Sequence, residues 1–269
     1  MAVKDNKGAN NGYWSQIDFS DGATRYWEFG RLRLWIRKQG NEWQTVSDFI
    51  SKEAEQPCMA ETVDDPADVE WNRFVSGSEA VLELLPVLPD RPIIVRPASP
   101  FRILSGSSAS LYLYVPVWIQ IGVFSKNRRR IITEFPSELL SSSWFGDMKT
   151  GELCYSFKEH LLPQPVVPSE NEWFAVCPLK IKNASQSILE FQRFCLRCVH
   201  LSMFTGPKGL FTNEIQVSFS GEDQLSQVVF SSKPPEVETP LEIITKPRIP
   251  YSSNILKKSF SFFKTLTEV

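Results

Sequence analysis

The sequence is poor in the marks of catalysis. It has two histidines, His160 and His200, and no G-x-S-x-G elbow, so nothing announces an activated nucleophile. Neither G-x-G-x-x-G nor G-x-x-x-x-G-K-[ST] occurs, and with them go the two commonest glycine-rich phosphate cradles. Charge of one sign is also lacking: 29 Lys and Arg face 31 Asp and Glu, for a net charge of −2. Such a balance gives no global attraction to nucleic acid or anionic lipid, so binding of that kind must come from a local patch. No apolar run reaches the roughly 18 residues of a membrane span, and residues 1–12 hold no apolar core of a secretory signal. The five cysteines are odd in number with no leader before them, which points to reduced thiols in a cytoplasmic protein. These absences lower the expectation of an enzyme. Paired carboxylates distant in sequence stay open, because such pairs need not be neighbours.

What the chain has in quantity is alternation. Residues 111–123 read L-Y-L-Y-V-P-V-W-I-Q-I-G-V, with an aliphatic side chain at every odd position from Leu111 to Val123. The even positions carry Tyr112, Tyr114, Pro116, Trp118, Gln120 and Gly122. Period two is the signature of a strand with one face in a core, and a helix would scatter the same residues around its circumference. One straight strand of that length would run about 40 Å, over twice the usual span. Pro116 donates no ladder hydrogen bond, so a bend, a bulge or a change of sheet is expected there, with the aliphatic face continuous across it.

The remainder also reads as short strands. Residues 26–38 and 42–46 form an expected hairpin, with Leu32, Leu34 and Ile36 inward and an arginine row outward. An acidic stretch, residues 48–68, is expected to be a solvated linker or a short surface helix, since it lacks the spacing of a calcium loop. Prolines punctuate strands at 70–75, 80–88 and 93–96. Residues 125–130 are expected as a loop tip, with a strand at 131–135. Residues 141–151 read as a loop leading into a strand at 152–157. After a proline-rich connection at 163–168 come strands at 174–182, 188–203, 211–219 and 224–231. An edge strand follows near 241–244. Residues 1–11 read as disordered. Residues 253–266 are the one expected helix, because Leu256, Phe260 and Phe263 fall on one face at helical spacing.

The fold class is therefore all-β: two packed β-sandwich, immunoglobulin-like units with a short C-terminal helix. The N-terminal unit takes residues 12–162, the C-terminal one 169–250, and the helix or tail 251–269. The candidate sites are loop features. Trp144 and Phe145 stand beside Gly146 and Asp147, with Tyr155 nearby. They either plug the end of a sandwich or form a binding surface. Arg128, Arg129 and Arg130 make a compact basic group that can position an acidic partner or a phosphate, or simply sit in solvent. Cys195 and Cys198 resemble half a metal knuckle. An odd separation on a strand points them to opposite faces, and no glycine lies between them to make a turn, so no metal or cofactor is expected.

Several stretches carry a family resemblance. Leu88-Pro89-Asp90-Arg91-Pro92, Val115-Pro116-Val117, and residues 143–147 through 151–155 together resemble an uncharacterised prokaryotic family, domain of unknown function 432. The likeness runs from the Trp27-Glu28-Phe29-Gly30 hairpin to about Phe230. It implies a bacterial or archaeal protein and carries over no activity and no catalytic residue. The expected function is a non-enzymatic binding or accessory protein acting through protein–protein contacts. A carboxylate-dependent hydrolase or carbohydrate-active protein using Asp147 and Glu152 is one alternative. Peripheral membrane or nucleic-acid binding through Arg128–Arg130 and the C-terminal lysines is the other.

Overall fold

Leu111, Leu113, Val115, Val117, Ile119, Ile121 and Val123 are all buried, and all belong to one apolar core. A computed structural model describes residues 14–50, 58–61, 65–66, 68–77, 81–97, 99–125, 128–147, 149, 151–157, 161–162, 173–222, 224–237, 239, 241–250, 255–257 and 259–260. Within them the ladder divides at its proline. Ser108–Pro116 belongs to a nine-stranded sheet and Trp118–Ser125 to a four-stranded one. Val117 bridges the two: its N–H donates to Trp173 O at 2.8 Å and its carbonyl accepts from Ser137 N at 3.1 Å. Both backbone groups at the switch are thus satisfied without a ladder.

The four-stranded sheet runs Gln16–Ile17, Val81–Val87, Trp118–Ser125 and Arg128–Pro136, antiparallel throughout. A five-stranded antiparallel sheet, in the order Cys58–Glu61, Thr24–Phe29, Leu32–Gln39, Glu42–Phe49 and Asn72–Val75, contributes Trp27, Phe29, Leu32, Leu34 and Ile36 to the same core. The nine-stranded sheet centres on Phe174–Asn183, which pairs antiparallel with Ser108–Pro116 and parallel with Gly209–Thr212 and Ile215–Phe219. Residues before and after the 163–168 connection therefore share one sheet and one core. A smaller sheet orders Ser141–Phe145, Glu152–Ser156, Ile93–Val95 and Phe194–Leu196, and a last pair joins Phe101–Ile103 to Leu189–Phe191.

The all-β expectation holds, and several details differ. The expected strand 26–38 is two strands, broken at Gly30, because φ there is 60° and the chain reverses into a hairpin. Part of the expected acidic linker is a strand, Cys58–Glu61, which closes the edge beside Thr24–Phe29. Arg128–Arg130 lies within a strand and not on a loop tip, and Trp144 and Phe145 end a strand, Ser141–Phe145. The long strand expected at 188–203 is Leu189–Phe191, Phe194–Leu196, a 3-10 turn at Cys198–His200 and the start of Met203–Gly206.

Among the described residues the expected C-terminal helix is not seen. Ile255–Lys257 is a strand on the outer side of Ser226–Phe230, and Phe260 packs among Phe191, Phe194 and Phe219 at ring separations of 5.5–5.7 Å. A lone helix of that length is marginal in water, whereas an open strand edge supplies backbone partners at once. Residues 1–13, 163–172 and 261–269 lie outside the described residues, and so do the N-terminal disorder and the linker expected there. No helix among the described residues is long and apolar enough to cross a membrane.

Two substitutions test this architecture. Val117→Asp places a carboxylate in the core and is expected to cost several kcal/mol, or to be tolerated only with its proton retained. Expression should yield no cooperatively unfolding protein. Gly30 and Gly40 have the same backbone conformation, φ 60° and 59°. A Cβ at Gly40 meets open space, whereas one at Gly30 lies 2.8 Å from Glu138 Oε1 and 3.1 Å from Trp173 Cδ1. Gly40→Ala is expected to cost about 1–2 kcal/mol from conformation alone, and Gly30→Ala measurably more, in urea denaturation.

Candidate functional site

The Ser141–Phe145 and Glu152–Ser156 strands form a hairpin whose register sets two faces: Trp144 opposes Leu153, Ser142 opposes Tyr155, Ser143 opposes Cys154 and Phe145 opposes Glu152. Directly opposed residues project from the same face. Trp144, Leu153 and Tyr155 therefore share one face, and Phe145, Cys154 and Glu152 the other. The hairpin resolves the two aromatics in opposite ways. Phe145 is 2% exposed and sits against Ile94, Cys154 and Cys195. Trp144, on the terminal strand, and Leu153, opposite it on the next, are 45% and 44% exposed. The Trp144 ring is fixed where it stands, since its Nε1–H donates to Asp147 O at 2.9 Å. Gly151 N donates to that carbonyl too, at 2.9 Å, and the Asp147 carboxylate accepts from Lys149 N at 2.8 Å.

On the inner face a thiol pair meets an ion pair. Cys195 Sγ lies 3.8 Å from Glu152 Oε1, and Arg197 donates to the same oxygen. The hydrogen bond that Cys154 receives from Cys195 holds its thiol below the ordinary value, and the donor Cys195 is pushed up, by that bond and by burial. Cys198, three residues on, belongs to the main core and not to this cluster, so Cys195 and Cys198 do look to different sides. Burial pushes the Cys177 thiol up to about 12 and raises that of Cys198.

The even face of the ladder leads to a second polar region. Gln120 Nε2 donates to Glu134 Oε1 at 2.6 Å, while Arg129 Nη1 donates to Gln120 Oε1 at 2.7 Å and Arg129 Nε to Glu83 Oε2 at 2.5 Å. From the far end of the chain, Arg248 clamps Glu134 with two bonds of 3.0 and 2.6 Å and donates from Nε to Leu88 O at 2.7 Å. Its guanidinium also lies 5.9 Å from the Trp118 ring, and that ring is 5.8 Å from Tyr155. Beside the network opens a cleft of about 420 Å³, walled by Gln120, Arg129, Lys246 and Arg248 with Leu88 and Leu201. Its acids and bases answer one another: Glu83 is bound to Arg129 and Glu134 to Arg248. The Arg248–Glu134 pair is bidentate and the Arg129–Glu83 contact single, and both hold their side chains in position.

The model of a family described as a protein of unknown function, DUF432, matches residues 13–264, most of the chain. The chain belongs to that family. No curated protein and no solved structure matches it. In this DUF432 protein the residues singled out from the sequence fall into two regions. Trp144, Phe145, Asp147 and Tyr155 share the hairpin. Of the basic group, Arg128 and Arg130 are exposed, while Arg129 turns inward to Glu83 and Gln120. The regions are joined through Gln120, Glu134, Arg248 and Trp118. Sequence reading missed Arg248 and Glu134. The only signal for them was Gln120, a lone amide in an otherwise apolar and aromatic ladder, which requires a partner once buried.

Tyr155 gives this neighbourhood a titration signature. Burial, and then the hydrogen bond it donates to Asp90 Oδ1 at 2.8 Å, push its phenol up to about 12. The unfolded phenol loses its proton near the ordinary value of 10.0. The contribution of Tyr155 is therefore full below that pH and is lost as pH rises through about 12. Tyr155→Phe is expected to remove a phenol that titrates at about 12 from the ultraviolet pH titration and to flatten the fall of stability across that window.

Proposed function

We propose that this DUF432 protein is a non-enzymatic binding protein that works through contact with another protein, and that the Trp144–Leu153 face is part of its contact surface. The observation that carries the reading is the exposure of this cross-strand pair, 45% and 44%, on the terminal hairpin of a sheet. Exposed sheet edges are ordinarily blunted with charge or proline, because an apolar edge invites association. Here the edge presents tryptophan, the residue type most enriched among the anchors of protein interfaces. The hydrogen bond from Trp144 Nε1 to Asp147 O holds the ring in place before any partner arrives, which lowers the ordering cost of association.

The hydrolase alternative draws less support. Asp147 is engaged by the backbone of its own turn, and Glu152 faces Arg197 on the inner side of the hairpin. Neither carboxylate is offered with the other as an acid–base pair. The reading keeps a cytoplasmic location, on the free thiols of Cys154, Cys177, Cys195 and Cys198.

A photoreactive benzoyl-phenylalanine in place of Trp144, in the native host, is expected to trap one discrete protein adduct. Leu153→Asp in the same chain should abolish it, and the same probe in place of Leu225 should trap none. Equal labelling from both probe positions, or an adduct indifferent to Leu153→Asp, would overturn the reading.

A further inference from the structure

A second surface stands apart from the hairpin. Asn72–Val75 is the terminal strand of the five-stranded sheet and Arg128–Pro136 that of the four-stranded sheet. Among the described residues each pairs on one side only, Asn72–Val75 with Glu42–Phe49 and Arg128–Pro136 with Trp118–Ser125. A groove of about 380 Å³ lies between the two strands, lined by residues 73–77 on one side, by 130–132 on the other, and by Val123. Val75 is 75% exposed and Ile131 57%, so the rims of the groove are apolar.

The charge of the groove has one sign. Among the described residues no acidic side chain lines it. Arg73 is neutralised by Glu42, which accepts two hydrogen bonds of 2.8 and 2.6 Å and whose carboxyl is thereby held below the usual carboxylate range. Arg130 lines the groove and Arg128 lies two residues away on the same strand. Both are exposed, and among the described residues neither has an ion-pair partner. The Arg128–Pro136 strand carries a bulge at Ile132, where the register with Trp118–Ser125 shifts between Ile121 and Gly122. The bulge interrupts the pairing at Ile132, and it resumes at Thr133, so the uninterrupted stretch beside the groove is Arg128 to Ile131. On the opposite side Asn72–Val75 is equally short. Each edge has room for about four residues of an added strand, roughly 14 Å at the usual rise.

We propose that this groove is a strand-addition site for an extended segment of a partner protein, acidic and apolar at alternating positions. Backbone pairing to a free edge supplies affinity that is indifferent to sequence, and the side chains of the alternate faces supply specificity. Because successive side chains of the incoming strand point to opposite faces, one set packs on Val75 and Ile131 while the other meets Arg128 and Arg130. The proposal rests on the sheet edges and charge alone and is independent of the Trp144–Leu153 face.

The test is a selection on the full chain with a randomised seven-residue peptide library. Counter-selection uses Arg130→Glu/Ile131→Asp, a variant confined to exposed side chains and expected to keep the wild-type melting temperature. Enriched peptides are expected to alternate Asp or Glu with Val, Ile or Leu. A synthetic peptide of the enriched sequence should bind at least about tenfold more weakly to either single variant, a difference of about 1.4 kcal/mol. N-methylation of alternate peptide amides should abolish its binding. Enrichment without acidic residues, binding that survives N-methylation, or no difference between wild type and variant would overturn the proposal. So would a groove filled instead by a second copy of the chain, seen as a dimer that Ile131→Asp dissociates, or displacement of the peptide by an oligonucleotide. An unlabelled Trp144 region combined with successful selection would sink the reading above and leave this one standing.

Discussion

Pro116 has no N–H to give a ladder, and at that residue the chain leaves one sheet and enters another. The consequence is mechanical. Ser108–Pro116 lies along Phe174–Asn183, and two residues later Trp118–Ser125 lies along Val81–Val87. Val117 is held between them by Trp173 O and Ser137 N. The aliphatic face keeps its phase through the switch, so two sheets are tied to one core by a single uninterrupted row of side chains. Every other arrangement described above depends on that continuity. It directs Tyr114 toward Val176, Phe204 and Phe211 on one side of the switch, and Trp118 and Gln120 toward Tyr155 and Arg248 on the other.

The second half of the chain grips the first at this even face. Arg248 reaches a carbonyl at Leu88 and a carboxylate at Glu134, far apart in sequence. A partly buried guanidinium that lost Glu134 would be left desolvated and unpaired, so breaking one partner costs more than the pair itself contributes. Networks of this sort specify geometry more than they stabilise it. Gly122 belongs to the same device. The Arg129 guanidinium lies so close over its backbone that a Cβ there would be 2.8 Å from Cζ, so glycine is what lets Arg129 reach Gln120 and Glu83 together.

Period-two alternation carried the fold class, because burial on one face writes directly into the sequence. It made the ladder legible residue by residue, including the break at Pro116. The hairpin that bears Trp144 was not legible as a strand. Ser141, Ser142 and Ser143 alternate with nothing apolar, and their pairing is imposed by Glu152–Ser156 across the turn. The C-terminal segment failed for the converse reason. Leu256 and Phe260 have helical spacing, yet what fixes the segment is distant: Ser226–Phe230 for the strand and three phenylalanines for Phe260. Non-local pairing leaves no local pattern. The polar network was invisible for the same cause, since Glu83, Gln120, Arg129, Glu134 and Arg248 come from four separate segments.

Where a fold of many short strands keeps its charges paired and its aliphatic residues inward, its remaining reactivity is concentrated at sheet edges. Most edges here are stopped by small strands: Gln16–Ile17 beside Val81–Val87, Leu161–Leu162 beside Ser108–Pro116, and Cys58–Glu61 beside Thr24–Phe29. Ser141–Phe145, Asn72–Val75, Arg128–Pro136 and Glu242–Thr245 are terminal strands with nothing paired outside them among the described residues. Trp144, Leu153, Val75, Ile131 and Ile243 stand exposed on or beside them. An edge that is unpaired and also apolar works against solubility unless something covers it in use. The two properties coincide at the same strands, and the two proposed contact surfaces are built on that coincidence.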